Sequence, residues 1–455
     1  MKQRFLTIIF LLCAYVCVSY AQKLEGSWTG KLSVQGVQLT IVFHVEKDKN
    51  SDFIVTMDSP DQSVKDVPAT VNSLTADSVD IAISSIGARY LGKQHGDSIQ
   101  GTFTQFGRAF PLMLNRGTEE LKRPQTPHLP YPYQTEEVTF NNAKANAVFS
   151  GTLTYPVGYE QMDNHKVPVV LMVTGSGQEN RDEEIFDHQP FLVLADYLAR
   201  HGIASLRYDD RGFAKSTGDA SKSTMKDNAE DARCGLNYLK TLKRFGKIGV
   251  MGHSEGGSIA LMLAAEGLPD FIVSLAGVAG RGDSLMLKQV YQAMEARGDA
   301  TFAHDYCKVL GAIYAYRNAK KDISDPDAVL DSLLKQTNVS LPALSKQSLL
   351  PVITMQTPWI LDFIATDMAC YLPKIKCPVM AVNGSKDVQV DAHDNLSAFR
   401  KGLIPNKKNL IKEYEGLNHL FQYCTTGQTT EYRLIEETFA PEVMKDIVDW
   451  IKTLE

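Results

Sequence analysis

The run Gly252-His253-Ser254-Glu255-Gly256 has the clearest chemical content in this chain. A serine in the pattern G-x-S-x-G can occupy a sharp strand-to-helix turn that exposes its hydroxyl, while the flanking glycines let neighbouring backbone pack closely. Five letters alone decide little, because a chain of 455 residues shows such a match by chance with probability on the order of 0.15. Context decides. Lys247 to Met251 has the composition of a buried strand, and Ile259 to Ala265 that of an apolar helix. Strand, turn and helix are the order in which such a nucleophile is built.

A serine hydroxyl is a weak nucleophile until a base accepts its proton, and that base needs a carboxylate to fix its tautomer. Sheets that carry such an elbow supply the partners in the order serine, acid, histidine. Only His304, His393 and His419 follow Ser254. Cys377 to Asn383 has the character of a late buried strand, and Gly384-Ser385-Lys386-Asp387 is a turn at its carboxyl end, where open α/β sheets gather their ligands. Asp387 is therefore the expected acid. Asp391 and Asp394 fall where the next helix should start, and cap or solvate it. Lys408 to Tyr414 predicts a final strand, and the loop Glu415-Gly416-Leu417-Asn418-His419 brings His419 forward as base. His393 sits on the helix after Asp387 and His304 precedes the acid, so both are ordinary polar residues. The developing oxyanion needs backbone donors: Glu255 N–H, directly after the nucleophile, and an N–H of the loop Thr174-Gly175-Ser176-Gly177-Gln178, with Ser176 first and Gly177 next.

These residues need a scaffold. Strand-like runs alternate with helical ones from Ser150 onwards, and nearly continuous apolar strands such as Val167 to Val173 are those of a mainly parallel sheet covered on both faces. This predicts an α/β domain over 137–455. Between 277 and 376 the alternation lapses, and Leu285 to Ala296, Phe302 to Arg317 and Pro326 to Lys335 read as helices of a cap insertion. Ahead of the α/β domain, residues 22–120 show short alternating runs separated by turn clusters, the pattern of a small antiparallel β-barrel or sandwich. Pro124, Pro127, Pro130 and Pro132 make 121–136 a stiff linker.

Residues 1–21 have the pattern of an export signal: Lys2 and Arg4, an apolar run from Phe5 to Val18, then Ser19-Tyr20-Ala21. The apolar run is shorter than the roughly 20 residues of a spanning helix. The expectation is a periplasmic or secreted protein without stable membrane insertion after cleavage. A formal net charge of -6 supplies no basic field for a nucleic-acid partner. Cys234, Cys307, Cys370, Cys377 and Cys424 would remain in the mature chain, an odd number at spacings of no stapled scaffold. No paired-cysteine or His-Glu-x-x-His spacing signals a metal, and the expected chemistry calls for no cofactor.

Thr174 to Asp182, Tyr208-Asp209-Asp210-Arg211-Gly212, Gly252 to Gly257 and Leu417-Asn418-His419-Leu420-Phe421 together give residues from about Glu137 to Glu455 their resemblance. The region resembles the secreted bacterial α/β-hydrolase esterases, near the dienelactone-hydrolase and serine-aminopeptidase-like branches. The resemblance implies hydrolysis of small carboxylic esters and assigns nucleophile, acid and base to Ser254, Asp387 and His419. The chain departs from the commoner pattern at Thr174, where a histidine usually precedes the glycine. Asp209 to Gly212 would brace the loop by charged hydrogen bonds. Two other functions stay open. One is a serine exopeptidase with the same triad, in which Glu183 and Glu184 bind a substrate's amino terminus, although an acidic pair of this kind ordinarily faces water. The other is a glycan- or partner-binding protein on an idle hydrolase scaffold. Short acyl groups are expected, since Lys320 to Asp325 and its neighbours are too polar for a lipase-like lid.

Overall fold

The computed structural model describes residues 24–34, 37–62, 64–75, 78–117, 122–295 and 298–454. The leader expected at 1–21 lies outside them. Two compact units divide between Lys122 and Arg123, with Ile185–Asp187 grouped with the first.

The first unit is a closed antiparallel barrel of eight strands. They are Gly26–Val34 (β1), Val37–Lys47 (β2), Phe53–Ser59 (β3), Val64–Thr75 (β4), Ser78–Ile83 (β5), Ala88–His95 (β6), Ser98–Gln105 (β7) and Arg108–Arg116 (β8). Alternate residues point inward, so Trp28, Phe43, Tyr90 and Phe103 fill the interior with Leu112 and Leu114. Pairing of Trp28 with Arg116 and Thr29 with Asn115 closes the ring. A sandwich would show the same alternation, and this closure separates the two.

The second unit is built on an eight-stranded sheet in the order β16-β15-β14-β13-β11-β12-β10-β9. Thr135–Asn142 (β9) and Ala147–Thr154 (β10) form an antiparallel edge. Val169–Val173 (β11), Ala204–Tyr208 (β12), Ile248–His253 (β13), Phe271–Leu275 (β14), Val379–Gly384 (β15) and Leu410–Tyr414 (β16) run parallel to one another. Strands β11 to β15 are buried along their whole length, because both faces are covered. Val169, Leu171 and Val173 pack with the helices Met225–Leu242 (α2) and Glu255–Ala265 (α3). Val170 and Met172 face Pro190–Arg200 (α1) and the C-terminal helix Pro441–Lys452 (α11). The first helix begins with Pro190 in its first turn, where a missing N–H costs nothing. The second begins with a capping box between Thr224 and Asp227.

Between β14 and β15 the chain is helical: Gly282–Glu295 (α4), Ala300–Asn318 (α5), Pro326–Thr337 (α6), Ala343–Thr354 (α7) and Pro358–Ala365 (α8). Side-chain oxygens of Asp299 and Asp325 accept the Phe302 and Ala328 N–H and start two of them. Val309, Ile313, Leu333, Leu349 and Ile364 give the insertion a core of its own. The last two helices are the ones that periodicity does not reveal. Pro351 interrupts α7, and α8 has only eight residues. After β15 come Ala392–Gly402 (α9) and the short Thr429–Tyr432 (α10). Asp391 caps α9 by accepting from Asp394 N–H at 2.9 Å, the role expected for it. Arg123 and Gln125 of the proline-rich stretch bond the backbone carbonyls of Arg433, Ile435 and Phe439.

Candidate active site

Four loops at the carboxyl ends of β11, β13, β15 and β16 carry the candidate residues. Ser254 stands between β13 and α3 with φ 53 and ψ -116, a left-handed-side conformation unusual for a residue with a side chain. Its N–H donates to Leu275 O at 2.9 Å. The glycines around it are sterically required. A Cβ on Gly252 would lie 2.0 Å from Gly256 O, and one on Gly256 would lie 2.0 Å from Val173 O. The elbow is thus a place where helix and strand backbones touch, and the strain at Ser254 is held by that packing.

Asp387 follows β15 in a tight turn and is buried. Its Oδ1 accepts the N–H groups of Gln389 and Val390 at 2.8 and 2.9 Å. Its Oδ2 is 2.8 Å from His419 Nδ1, so the carboxylate is fixed on one side and offers its other oxygen to the imidazole. The His419 loop is ordered from within. Asn418 Oδ1 accepts from Leu420 and Gln422 N–H, both at 3.0 Å. Among the described residues no hydrogen bond joins Ser254 Oγ to His419; the pair Asp387–His419 is bonded and Ser254 stands separately on its elbow. His304 and His393 are exposed on helices.

His253, directly before Ser254, is a part of the site that the sequence did not single out. It is buried, its ring centroid lies 4.7 Å from that of His419, and its Nε2 is 3.0 Å from His419 O. Its Nδ1 is 2.8 Å from Glu183 Oε1. Burial opposes a charged ring here, but the Glu183 carboxylate and the His419 carbonyl outweigh it and raise His253 to about 9. Both ring nitrogens then donate. Water was the expected surrounding for Glu183 and Glu184, and that holds for Glu184 alone. Glu183 is 2% exposed, because His253 supplies a counter-charge that a linear reading cannot see.

The loop after β11 passes close to Ser254. A Cβ on Gly175 would stand 3.6 Å from Ser254 Cβ, while Ser176 and Gly177 are exposed. Thr174, in place of the commoner histidine, donates from Oγ1 to the Asp210 carboxylate at 3.0 and 3.1 Å. Burial pushes Asp210 up to about 7, against the bonds from Glu179 N–H and Thr174. Asp209 and Asp210 brace this loop by charged hydrogen bonds as expected, whereas the Arg211 side chain turns to helix α2. Arg181 meets Asp209 with Nε and Nη2 at 3.0 and 2.8 Å, and Arg211 meets Asp231 at 2.9 and 2.8 Å. Burial, then the Glu183 and Asp210 carboxylates, hold Glu179 well above the usual carboxylate range.

Glu255 contributes more than a backbone N–H. Its buried carboxylate accepts from Asn228 Nδ2 at 3.0 Å and from Trp359 Nε1 of α8 at 2.7 Å. The insertion is thereby tied to the residue next to Ser254. Burial raises Glu255 to about 7, opposed by these two bonds. Asp391, His393 and Asp394 lie close enough to share a cation, but Lys288 already pairs with both carboxylates at 3.2 and 2.6 Å.

The chain belongs to the α/β-hydrolase fold family, whose sequence profile matches residues 168–422. Among curated proteins it is similar to esterase EstD of Thermotoga maritima, with 23% identity over 323 residues, 71% of this chain and 68% of that protein. Similar solved structures include the Pyrococcus furiosus esterase Pf2001, with 16% identity and TM-score 0.42, covering 74% of this chain and 99% of that one. Est1E from Butyrivibrio proteoclasticus has 13% identity and TM-score 0.40, covering 70% and 98%.

Proposed function

We propose that this protein is an exported serine carboxylesterase acting on short-chain esters of small molecules, with Ser254 as nucleophile, His419 as base and Asp387 as the acid that orients it. The observation that carries the proposal is the Asp387–His419 bond of 2.8 Å, formed at the same carboxyl end of the sheet as a strained serine whose flanking glycines admit no side chain. Ser254 Oγ attacks the ester carbonyl while His419 Nε2 takes its proton and returns it to the leaving alcohol. Water, deprotonated by the same ring, then releases the acid from the acyl-enzyme. The oxyanion would be held by Glu255 N–H and by the loop after β11, through Ser176 or Gly177, and the closeness of Gly175, where an added Cβ would stand 3.6 Å from Ser254 Cβ, supports that loop as the second donor. EstD is an esterase by name, which agrees with this chemistry.

The exopeptidase alternative loses its amine anchor, since Glu183 is buried and bonded to His253. Export rests on the leader-like pattern of residues 1–21. The test is hydrolysis of p-nitrophenyl acetate, butyrate and octanoate by the protein and by Ser254→Ala. Activity on the shorter esters should fall about 10⁴-fold or more in the variant. Equal activity in both proteins would reject the proposal.

A further inference from the structure

A cavity of about 910 Å³ is framed by Ser176 and Gln178 of the loop after β11, Asn228 of α2, and Trp359 and Ile360 of α8, while Ser254 and His419 are not among its lining residues. Its walls are tied to Glu255, the residue after Ser254, and to the loop that passes close to Ser254. A Cβ on Gly175, next to Ser176, would stand 3.6 Å from Ser254 Cβ, and the Glu255 carboxylate holds both Asn228 and Trp359. The indole is therefore placed, not merely present. Phe363 stacks on it at 5.2 Å and 12°, Glu255 fixes its N–H, and Trp359 is one of the cavity's lining residues.

The lining narrows what can bind there. Ile360 is its one large aliphatic side chain, and the other residues are hydroxyl, amide, carboxylate, glycine and alanine positions around the indole. A fatty alcohol would displace water from these polar groups and pair with none of them. Among the described residues the Ser176 hydroxyl and the Asn228 carbonyl oxygen make no hydrogen bond within the protein, so one donor-acceptor and one acceptor are open to a ligand. An indole set among polar groups suits a ring that is apolar on its faces and hydroxylated at its edge. The volume is that of a small-molecule site of ordinary size.

Taking the esterase mechanism above as given, we infer that the leaving alcohol is a sugar, so that the enzyme removes short acyl groups from O-acylated carbohydrate with Trp359 as the platform under the ring. The ester C–O bond breaks, the acyl group passes to Ser254 Oγ, and the sugar hydroxyl leaves with the proton carried by His419. Water then frees the acid. Trp359 is a specificity-determining residue and moves no proton.

The test compares kcat/KM for 6-O-acetylglucose, ethyl acetate and p-nitrophenyl acetate in the full chain and in Trp359→Ala and Trp359→Phe. A site built to bond substrate hydroxyls should favour acetylglucose over ethyl acetate by about 10²-fold or more. The acetylglucose to p-nitrophenyl acetate ratio should fall at least about tenfold in Trp359→Ala and less in Trp359→Phe, which keeps a ring. A purely structural role would lower all substrates together and leave the ratio unmoved. Binding is read separately in Ser254→Ala, where acetylglucose should quench tryptophan fluorescence. The other two tryptophans, Trp28 and Trp450, are buried, and the quench should vanish when Trp359→Phe is added. Ser254-dependent hydrolysis of p-nitrophenyl acetate without a sugar preference, or with a ratio insensitive to Trp359, overturns the sugar inference alone. Absence of Ser254-dependent hydrolysis of every ester overturns it together with the esterase.

Discussion

Replacing Glu183 by Gln removes the counter-charge of His253 and leaves its shape. In the native chain His253 is buried between Glu183 Oε1 at 2.8 Å and the His419 carbonyl at 3.0 Å, and its pKa stands at about 9 against an ordinary 6.5. At about 1.4 kcal/mol per tenfold, this proton coupling is worth on the order of 3 kcal/mol, in line with the roughly 3–5 kcal/mol lost on breaking a buried pair. Because the folded-state pKa is raised, the contribution is complete below about pH 6.5 and disappears as pH rises through about 9. Urea unfolding of the native protein and Glu183→Gln at several pH values between 6 and 10 reads it directly. The stability gap should be about 3 kcal/mol at pH 6 and should close toward pH 10. Since the same ring holds the carbonyl of His419, the proposed base, kcat at pH 7 should fall about 10- to 100-fold with a smaller change in KM. A gap that stays constant across this range, or no gap at pH 6, would refute the assignment of a charged His253 clamp.

Asp387→Asn should leave KM nearly unchanged and lower kcat about 10⁴-fold, because an amide at this position favours the His419 tautomer that cannot take the serine proton; steady-state kinetics on p-nitrophenyl acetate checks this. Gly256→Ala puts a Cβ 2.0 Å from Val173 O and should cost about 3 kcal/mol or more, visible as a lowered thermal midpoint with loss of activity. Burial raises Asp210 and Glu255 to about 7 and Glu179 well above its usual range, and His253 stands at about 9. All four retain protons in the folded chain that the unfolded chain releases at lower pH. Stability should therefore fall as pH rises from about 6 to 9, and a thermal midpoint that rises over this interval would contradict the burial of these groups.

The sheet and its loops were legible because their signals are local. Val169 to Val173 is continuously apolar, and Gly252 to Gly256 announces its turn by composition, so strand, elbow and helix could be placed before any contact was known. Asp387 and His419 followed from the order of elements. The partners of these residues were not legible, because they are far apart in the chain. Glu183 and His253 are separated by 70 residues, and Glu255 and Trp359 by 104. Nothing in the run Arg181-Asp182-Glu183-Glu184 distinguishes the buried carboxylate from the exposed one. The barrel shows the same limit in another form: alternation fixes which side chains of β1 to β8 point inward, and only the pairing of Trp28 with Arg116 shows that the sheet closes.

The central claim, an activated serine at position 254, is tested most directly by covalent trapping with an alkyl fluorophosphonate followed by mass spectrometry of the digested protein. The account predicts one phosphonyl adduct on Ser254 Oγ with loss of fluoride, none in Ser254→Ala, and formation slowed about 10³-fold or more in His419→Ala. An adduct on a different residue, or labelling that is as fast without His419, would contradict it.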